Sequence, residues 1–192
     1  MRIVGGLWRG RSFEAPQGKD TRPTTDRMRE SLASTILATF DLDLQDCSVL
    51  DAFAGSGGMG LELLSRGAQH CTFCEKDRRT AALIQRNCKS LGAAKDTYDV
   101  VAGDVWTLLG KPRIPGAPFS LLFLDPPYAM PASRVGELVC GLDETGALGN
   151  ACVIVYERSR DGDELCVAGF ELLRSKRHGR TCVDVLRKGE PL

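Results

Sequence analysis

The 192 residues fit one domain, which at this length buries roughly 70% of the unfolded chain's surface in a single core. With 43% apolar and 26% charged residues, and 25 basic groups against 25 acidic ones, the composition is ordinary for a globular protein and excludes an indiscriminate polyanion binder. Residues Met1 to Gly10 lack the apolar run of a signal peptide and no stretch is long enough to span a bilayer, so the chain is expected in the cytoplasm with no membrane partner.

In chain order, Arg2 to Val4 and Leu7 to Phe13 are short extended segments separated by Gly5-Gly6, a pair that supplies positive φ and predicts a small amino-terminal β-hairpin. After Pro23, a threonine cap at Thr24-Thr25 precedes Met28, Leu32, Thr35, Ile36 and Phe40 at helical spacing. Strand, glycine turn and helix then alternate: a strand over Ser48 to Ala52, a helix over Met59 to Ser65, a strand over Cys71 to Cys74, a helix over Arg78 to Leu91, and a strand over Tyr98 to Ala102. Phe119 to Leu124 is almost wholly apolar, as a central strand covered on both faces is. A helix over Val135 to Leu142 and a strand over Ala151 to Tyr156 follow. Phe170 to Lys176 and Thr181 to Arg187, joined by His178-Gly179-Arg180, predict an antiparallel hairpin. The alternation predicts a doubly wound, mostly parallel α/β sheet with that hairpin at one edge.

Eight cysteines are scattered through these elements and read as reduced, half-buried thiols. Cys71 and Cys74 form a CxxC within a strand, where residues three apart point to opposite faces and cannot readily share a metal. His70 and His178 have no ligand partner at metal spacing, so no metal is expected.

Chemistry gathers where strands end. Val49 to Gly60 is an apolar strand running into the turn Ala54-Gly55-Ser56-Gly57, which opens a helix as nucleotide-cofactor loops do. It also matches GxGxxG, and Glu75, at the end of the next strand, suits the ribose of either NAD or S-adenosylmethionine. Asp104, followed by Val105, falls at the same carboxyl edge of the sheet and reads as a ligand or as a helix cap. The deciding element is Asp125-Pro126-Pro127-Tyr128, directly after an apolar strand. Two prolines stiffen the backbone and have no N–H to donate, which leaves carbonyls to accept hydrogen bonds. An aromatic amine, whose lone pair is delocalised into its ring, could give both N–H bonds to Asp125 and the Pro126 carbonyl and turn that pair toward an activated methyl group. Tyr128 offers a face for a base, a stack worth about 1–3 kcal/mol.

These stretches resemble class I S-adenosylmethionine-dependent methyltransferases of the DPPY type, whose sheet has seven strands. With Arg2-Ile3-Val4-Gly5-Gly6, Arg22-Pro23-Thr24-Thr25-Asp26-Arg27-Met28-Arg29-Glu30, Asp51 to Gly67 and Glu75-Lys76-Asp77, the chain more closely resembles the RsmD-like bacterial family that methylates the exocyclic N2 of a guanine in 16S ribosomal RNA. The resemblance implies a substrate in the small ribosomal subunit or its assembly intermediate, with no obligate protein partner. It implies that Asp51 and Gly55 to Gly57 shape the methionine end of the cofactor pocket, that Glu75 holds the ribose, that Asp104 lies beside adenine, and that Asp125 to Tyr128 hold the guanine. Rival readings are a nicotinamide-dependent oxidoreductase, which leaves the proline pair unexplained, an adenine-N6 methyltransferase, and a non-catalytic RNA-binding module.

One domain is expected over 1–192, with 1–22 as a hairpin extension for RNA recognition. Arg2, Arg9, Arg11, Lys19 and Arg22 outnumber Glu14 and Asp20 there, a charge able to neutralise phosphates locally. Arg2, Trp8, Arg9, Arg11 and Arg22 are therefore the expected RNA contacts, against the alternative of an edge hairpin charged for solubility.

Overall fold

The computed structural model describes residues 1–16 and 25–189. Its strands are β1 Ser48–Asp51, β2 His70–Glu75, β3 Tyr98–Ala102, β4 Phe119–Leu124, β5 Leu148–Ser159, β6 Phe170–His178 and β7 Thr181–Lys188. The helices are α1 Asp26–Thr39, α2 Gly58–Ser65, α3 Arg78–Leu91 and α4 Ala132–Glu144, with a 3-10 turn over Val105–Leu108. The strands form one sheet in the order β3-β2-β1-β4-β5-β7-β6, parallel from β3 to β5. β7 runs antiparallel between β5 and β6, as the carboxyl-terminal hairpin requires.

Strand alternation divides the core in two. Val49, Cys71, Phe73, Leu121 and Phe123 face the side packed by α1, α2 and α3, while Leu50, Cys74, Leu122 and Leu124 face α4 and the 3-10 turn. Cys71 and Cys74 thus lie on opposite faces, and all eight cysteines are free thiols. From β1 the chain winds outward to β2 and β3, then crosses to β4 on the other side of β1. That reversal leaves a crevice above the carboxyl ends of β1 and β4, where ligands of open α/β sheets bind.

Caps set the helix ends. The Thr25 hydroxyl accepts the Met28 N–H at 3.2 Å, and Asp77 accepts the Thr80 N–H at 2.7 Å. At the far edge, Arg158 of β5 donates to Asp184 of β7 at 2.6 Å, and the Ser175 hydroxyl of β6 reaches the same carboxylate, tying three strands together in the interior.

The amino-terminal arm departs from expectation. It doubles back, but through a single bridge between Arg2 and Ser12 rather than two strands, and the reversal lies over Gly6 to Arg11 rather than at Gly5-Gly6. Gly5 and Gly6 serve close approach instead: a Cβ on Gly6, whose φ is +74°, would lie 1.9 Å from the Ser65 carbonyl oxygen. The arm runs along α2, with Val4 donating to buried Glu62 at 2.9 Å and Trp8 to the Ser65 hydroxyl at 2.9 Å. Ile3, Trp8 and Phe13 join the core, and the arm together with α1 covers α2, which is buried along its whole length although it packs on only one sheet face. The arm is therefore part of the core rather than an extension from it.

Candidate active site

Four carboxylates stand at the upper edge of the sheet because four parallel strands end there: Asp51 on β1, Glu75 on β2, Asp104 after β3 and Asp125 after β4. They line one cleft of about 1200 Å³ together with Ala54, Gly55, Ser56, Val105 and Pro126-Pro127-Tyr128. The sequence-predicted cofactor and amine residues are thus brought together, with one exception. Gly57 lies behind the loop against Ile84, at φ +75°, where it caps α2 and shapes the turn without lining the cleft.

The glycine loop is satisfied in a way that bears on its ligand. The Gly55 N–H donates to Glu75 Oε2 at 2.8 Å, and the Gly60 N–H at the start of α2 donates to Asp51 Oδ2 at 3.1 Å. Carboxylates therefore occupy amides that a dinucleotide pyrophosphate would need, and the acidic floor repels such an anion. A ligand with a cationic centre fits, and this counts against the oxidoreductase reading. Burial pushes the Asp51 carboxyl up to about 7, with Asp125 and Glu75 adding repulsion against the Gly60 hydrogen bond. Burial likewise pushes Asp125 up to about 6.

Asp104 is both of the things expected of it: its side chain accepts the Trp106 N–H at 3.3 Å as the cap of the 3-10 turn, and it borders the cleft. Sequence reasoning missed the aromatic wall beside it. Phe53 and Trp106 pack edge to face at 6.2 Å, Arg134 stacks on the indole at 4.7 Å, and the buried Trp106 Nε1–H finds no acceptor among the described residues. Phe53 and Trp106 both line the cleft, and lone aromatics outside a motif gave no signal of that wall. Also missed were Glu157 of β5 and the tip of the β6–β7 hairpin, whose Lys176, His178, Arg180 and Thr181 line the cleft. Tyr128 reaches that hairpin through a 3.2 Å contact of its hydroxyl with Thr181 Oγ1.

The expected RNA contacts of the arm fare differently. Trp8 is buried and offers no stacking face, a correction that follows from its place over α2. Arg11 is committed to the carboxyl end of α3, donating to the Leu91 and Ser90 carbonyls at 2.7 and 2.6 Å. Arg2 pairs with Asp26 at 2.7 Å. Arg9 is exposed beside the last turn of α2, the end of that helix away from the cleft. Arg22 and Lys19 lie outside the described residues. No group of His, Cys, Asp and Glu among the described residues could hold a metal ion, and no helix there is long and apolar enough to cross a membrane.

The chain is similar in sequence and fold to several known proteins. The Ribosomal RNA small subunit methyltransferase D of Escherichia coli is 34% identical over 189 residues, covering 98% of this chain and 90% of its own length. The solved structure of the Escherichia coli methyltransferase candidate yhhF superposes with a TM-score of 0.82 at 31% identity, covering 100% of this chain and 99% of that one. The RNA methyltransferase of Salinibacter ruber, solved with S-adenosyl-L-homocysteine, shares the fold, with a TM-score of 0.60 at 18% identity over 85% of this chain and 94% of that one. A family model described as Conserved hypothetical protein 95 matches residues 1–187, so the chain belongs to that family, the one its relatives named ribosomal RNA small subunit methyltransferase D represent.

Proposed function

We propose that the chain transfers a methyl group from S-adenosylmethionine to the exocyclic N2 amino group of a guanine in the 16S RNA of the small ribosomal subunit. The observation that carries this reading is Asp125-Pro126-Pro127-Tyr128 opening from β4 into the cleft that Asp51, Glu75 and the glycine loop border. Family membership supports the methyltransferase class and the ribosomal substrate, and the acidic floor and aromatic wall suit the cofactor.

Bound there, S-adenosylmethionine supplies an activated methyl group on a cationic sulfonium. Asp51 and the loop Ala54 to Ser56 surround the methionine end, Glu75 accepts from ribose hydroxyls, and Asp104, Val105, Phe53 and Trp106 enclose the adenine. Asp125 and the Pro126 carbonyl accept the two N–H bonds of the target amine, fixing its nitrogen for in-line attack, and Tyr128 stacks on the base. Holding reactants in line can supply roughly 7–11 kcal/mol of the acceleration. As the nitrogen bonds the methyl group and becomes positive, the ionised Asp125 carboxylate offsets that charge and then accepts the proton the amine releases, so its contribution falls mainly on the transition state.

Unmethylated small subunits incubated with labelled S-adenosylmethionine and the wild-type chain should gain one methylated guanine, located by nucleoside mapping. Asp125→Ala should lower kcat by at least about a hundredfold, the lower range for a group acting in the transition state, with cofactor affinity nearly intact. Label on adenine, or wild-type turnover by the folded variant, would refute the assignment.

A further inference from the structure

The β6–β7 hairpin carries a charge pattern that the methyl-transfer machinery does not use. Between Phe170 and Thr181 stand Arg174, Lys176, Arg177 and Arg180 against the single acidic Glu171. The arm's cations are largely engaged, Arg2 by Asp26 and Arg11 by the end of α3. The hairpin's are not: among the described residues, the side chains of Arg174, Lys176, Arg177 and Arg180 make no hydrogen bond or ion pair, and all four residues are exposed. Cations left without partners on an ordered strand are available to an outside anion.

The register shows where they point. Arg174, Lys176 and His178 pair with Val185, Val183 and Thr181. Side chains of directly paired residues share a sheet face, and Val183 and Val185 lie in the core half packed by α1. The three residues therefore form a row on the α1 side, spaced about 7 Å apart, comparable to the spacing of phosphates along an extended strand. The row climbs to the rim, where Lys176, His178 and Arg180 line the cleft, and Arg27 of α1 borders the same cleft. The Tyr128–Thr181 contact fixes the hairpin tip against the Asp-Pro-Pro-Tyr segment.

Charge in this neutral protein is thus segregated within one cleft, acidic on the floor and basic at the rim. The floor alone would repel a polynucleotide. We infer that the tip of the β6–β7 hairpin, through Arg174, Lys176 and Arg180 with Arg27 opposite, is the phosphate-binding surface that seats the RNA strand on either side of the target base. This rests on the function proposed above and names the part of the chain that recognises the substrate. Phosphate contacts of this kind set register and orientation, while Asp125 and Pro126 act on the base.

The test compares the wild-type chain, the double variant Lys176→Ala with Arg180→Ala, and a charge-matched control, Arg86→Ala with Lys89→Ala, on the exposed side of α3. Binding of end-labelled small-subunit ribosomal RNA, naked and assembled with its proteins, is measured by filter retention between about 50 and 200 mM salt. Each lost cation should flatten the log–log salt slope by about 0.7–0.9, so the rim variant should lose about 1.4–1.8 and bind roughly ten- to thirtyfold more weakly near 0.15 M. Its KM for subunits should rise comparably, with kcat changed less than about twofold and calorimetric binding of S-adenosylhomocysteine unchanged; the control should match the wild type. A folded rim variant with wild-type affinity and salt slope overturns the inference, as does a wild-type chain that binds neither form of the RNA. Wild-type binding that depends on the rim without any methyl transfer would instead overturn the proposed activity and leave the rim standing.

Discussion

Asp125 and Asp51 are carboxyls that their surroundings hold partly protonated near neutral pH, at about 6 and about 7, because burial disfavours the ionised form. Only ionised Asp125 can offset positive charge developing on an attacking amine. With limiting cofactor, where the rate reports the free protein, activity should therefore fall about tenfold per pH unit below about 6 and level off above it. A saturating cationic cofactor favours the ionised form and should move that inflection to lower pH. A profile without a break in the acid range would show that Asp125 does not carry the step. Glu75 works at the neighbouring strand end, where one oxygen holds the Gly55 amide and the other the Asp77 amide at 2.7 Å. Glu75→Ala should weaken cofactor binding by about 1.5–3 kcal/mol in a calorimetric titration, the scale of a hydrogen bond to a charged group. An unchanged affinity would place the ribose elsewhere.

Among elements, the amino-terminal arm places three large apolar side chains, Ile3, Trp8 and Phe13, in the core. Trp8 is anchored over α2 by the Ser65 hydroxyl, and Trp8→Ala should cost about 3–5 kcal/mol in urea unfolding, with loss of cofactor binding only in so far as the fold is lost. A change below about 1 kcal/mol would mean that the indole is not packed as described. The arm was poorly legible in the sequence because Gly-Gly between extended segments has the same local signature whether it turns a hairpin or lets the chain touch a helix. Only the partner, Ser65, distinguishes the two. Elements whose own pattern decides them were read to the residue: α3 at Arg78–Leu91, β3 at Tyr98–Ala102 and β4 at Phe119–Leu124. α4 and β5 were read short by a few residues at their ends, Ala132 and Glu144, Leu148 and Ser159, where apolar periodicity gives way to caps and polar strand ends.

At the scale of the whole molecule, the carboxylates were legible because each follows its own strand, a local fact. The basic rim was not, since it adjoins Asp125 only after β7 inserts antiparallel beside β5, a pairing no local pattern announces. The shared edge also gives the protein an unusual dependence on pH. The folded chain keeps Asp51 and Asp125 protonated to values above the ordinary 3.8, so between about pH 4 and 7 it binds protons that the unfolded chain has released. Their contribution to stability is full below that window and is lost as pH rises through it. Asp51→Asn, which keeps an oxygen for the Gly60 N–H, should therefore raise the urea midpoint at about pH 8 and leave it nearly unchanged at about pH 4. An equal shift at both would trace the effect to packing instead.

Among the described residues, the β6 strand has one flank on β7 and the other open, and over nine residues it exposes Leu172 and Leu173 at about half of their surface. An open strand with apolar side chains invites another chain to add to it, and charge on that strand is what keeps copies apart. Cations proposed to greet RNA would thus also guard against self-association. Neutralising two leaves Arg174 and Arg177 in place, but a hairpin stripped of all its basic residues should form concentration-dependent aggregates visible by light scattering, and nucleic acid lying along the strand should suppress them.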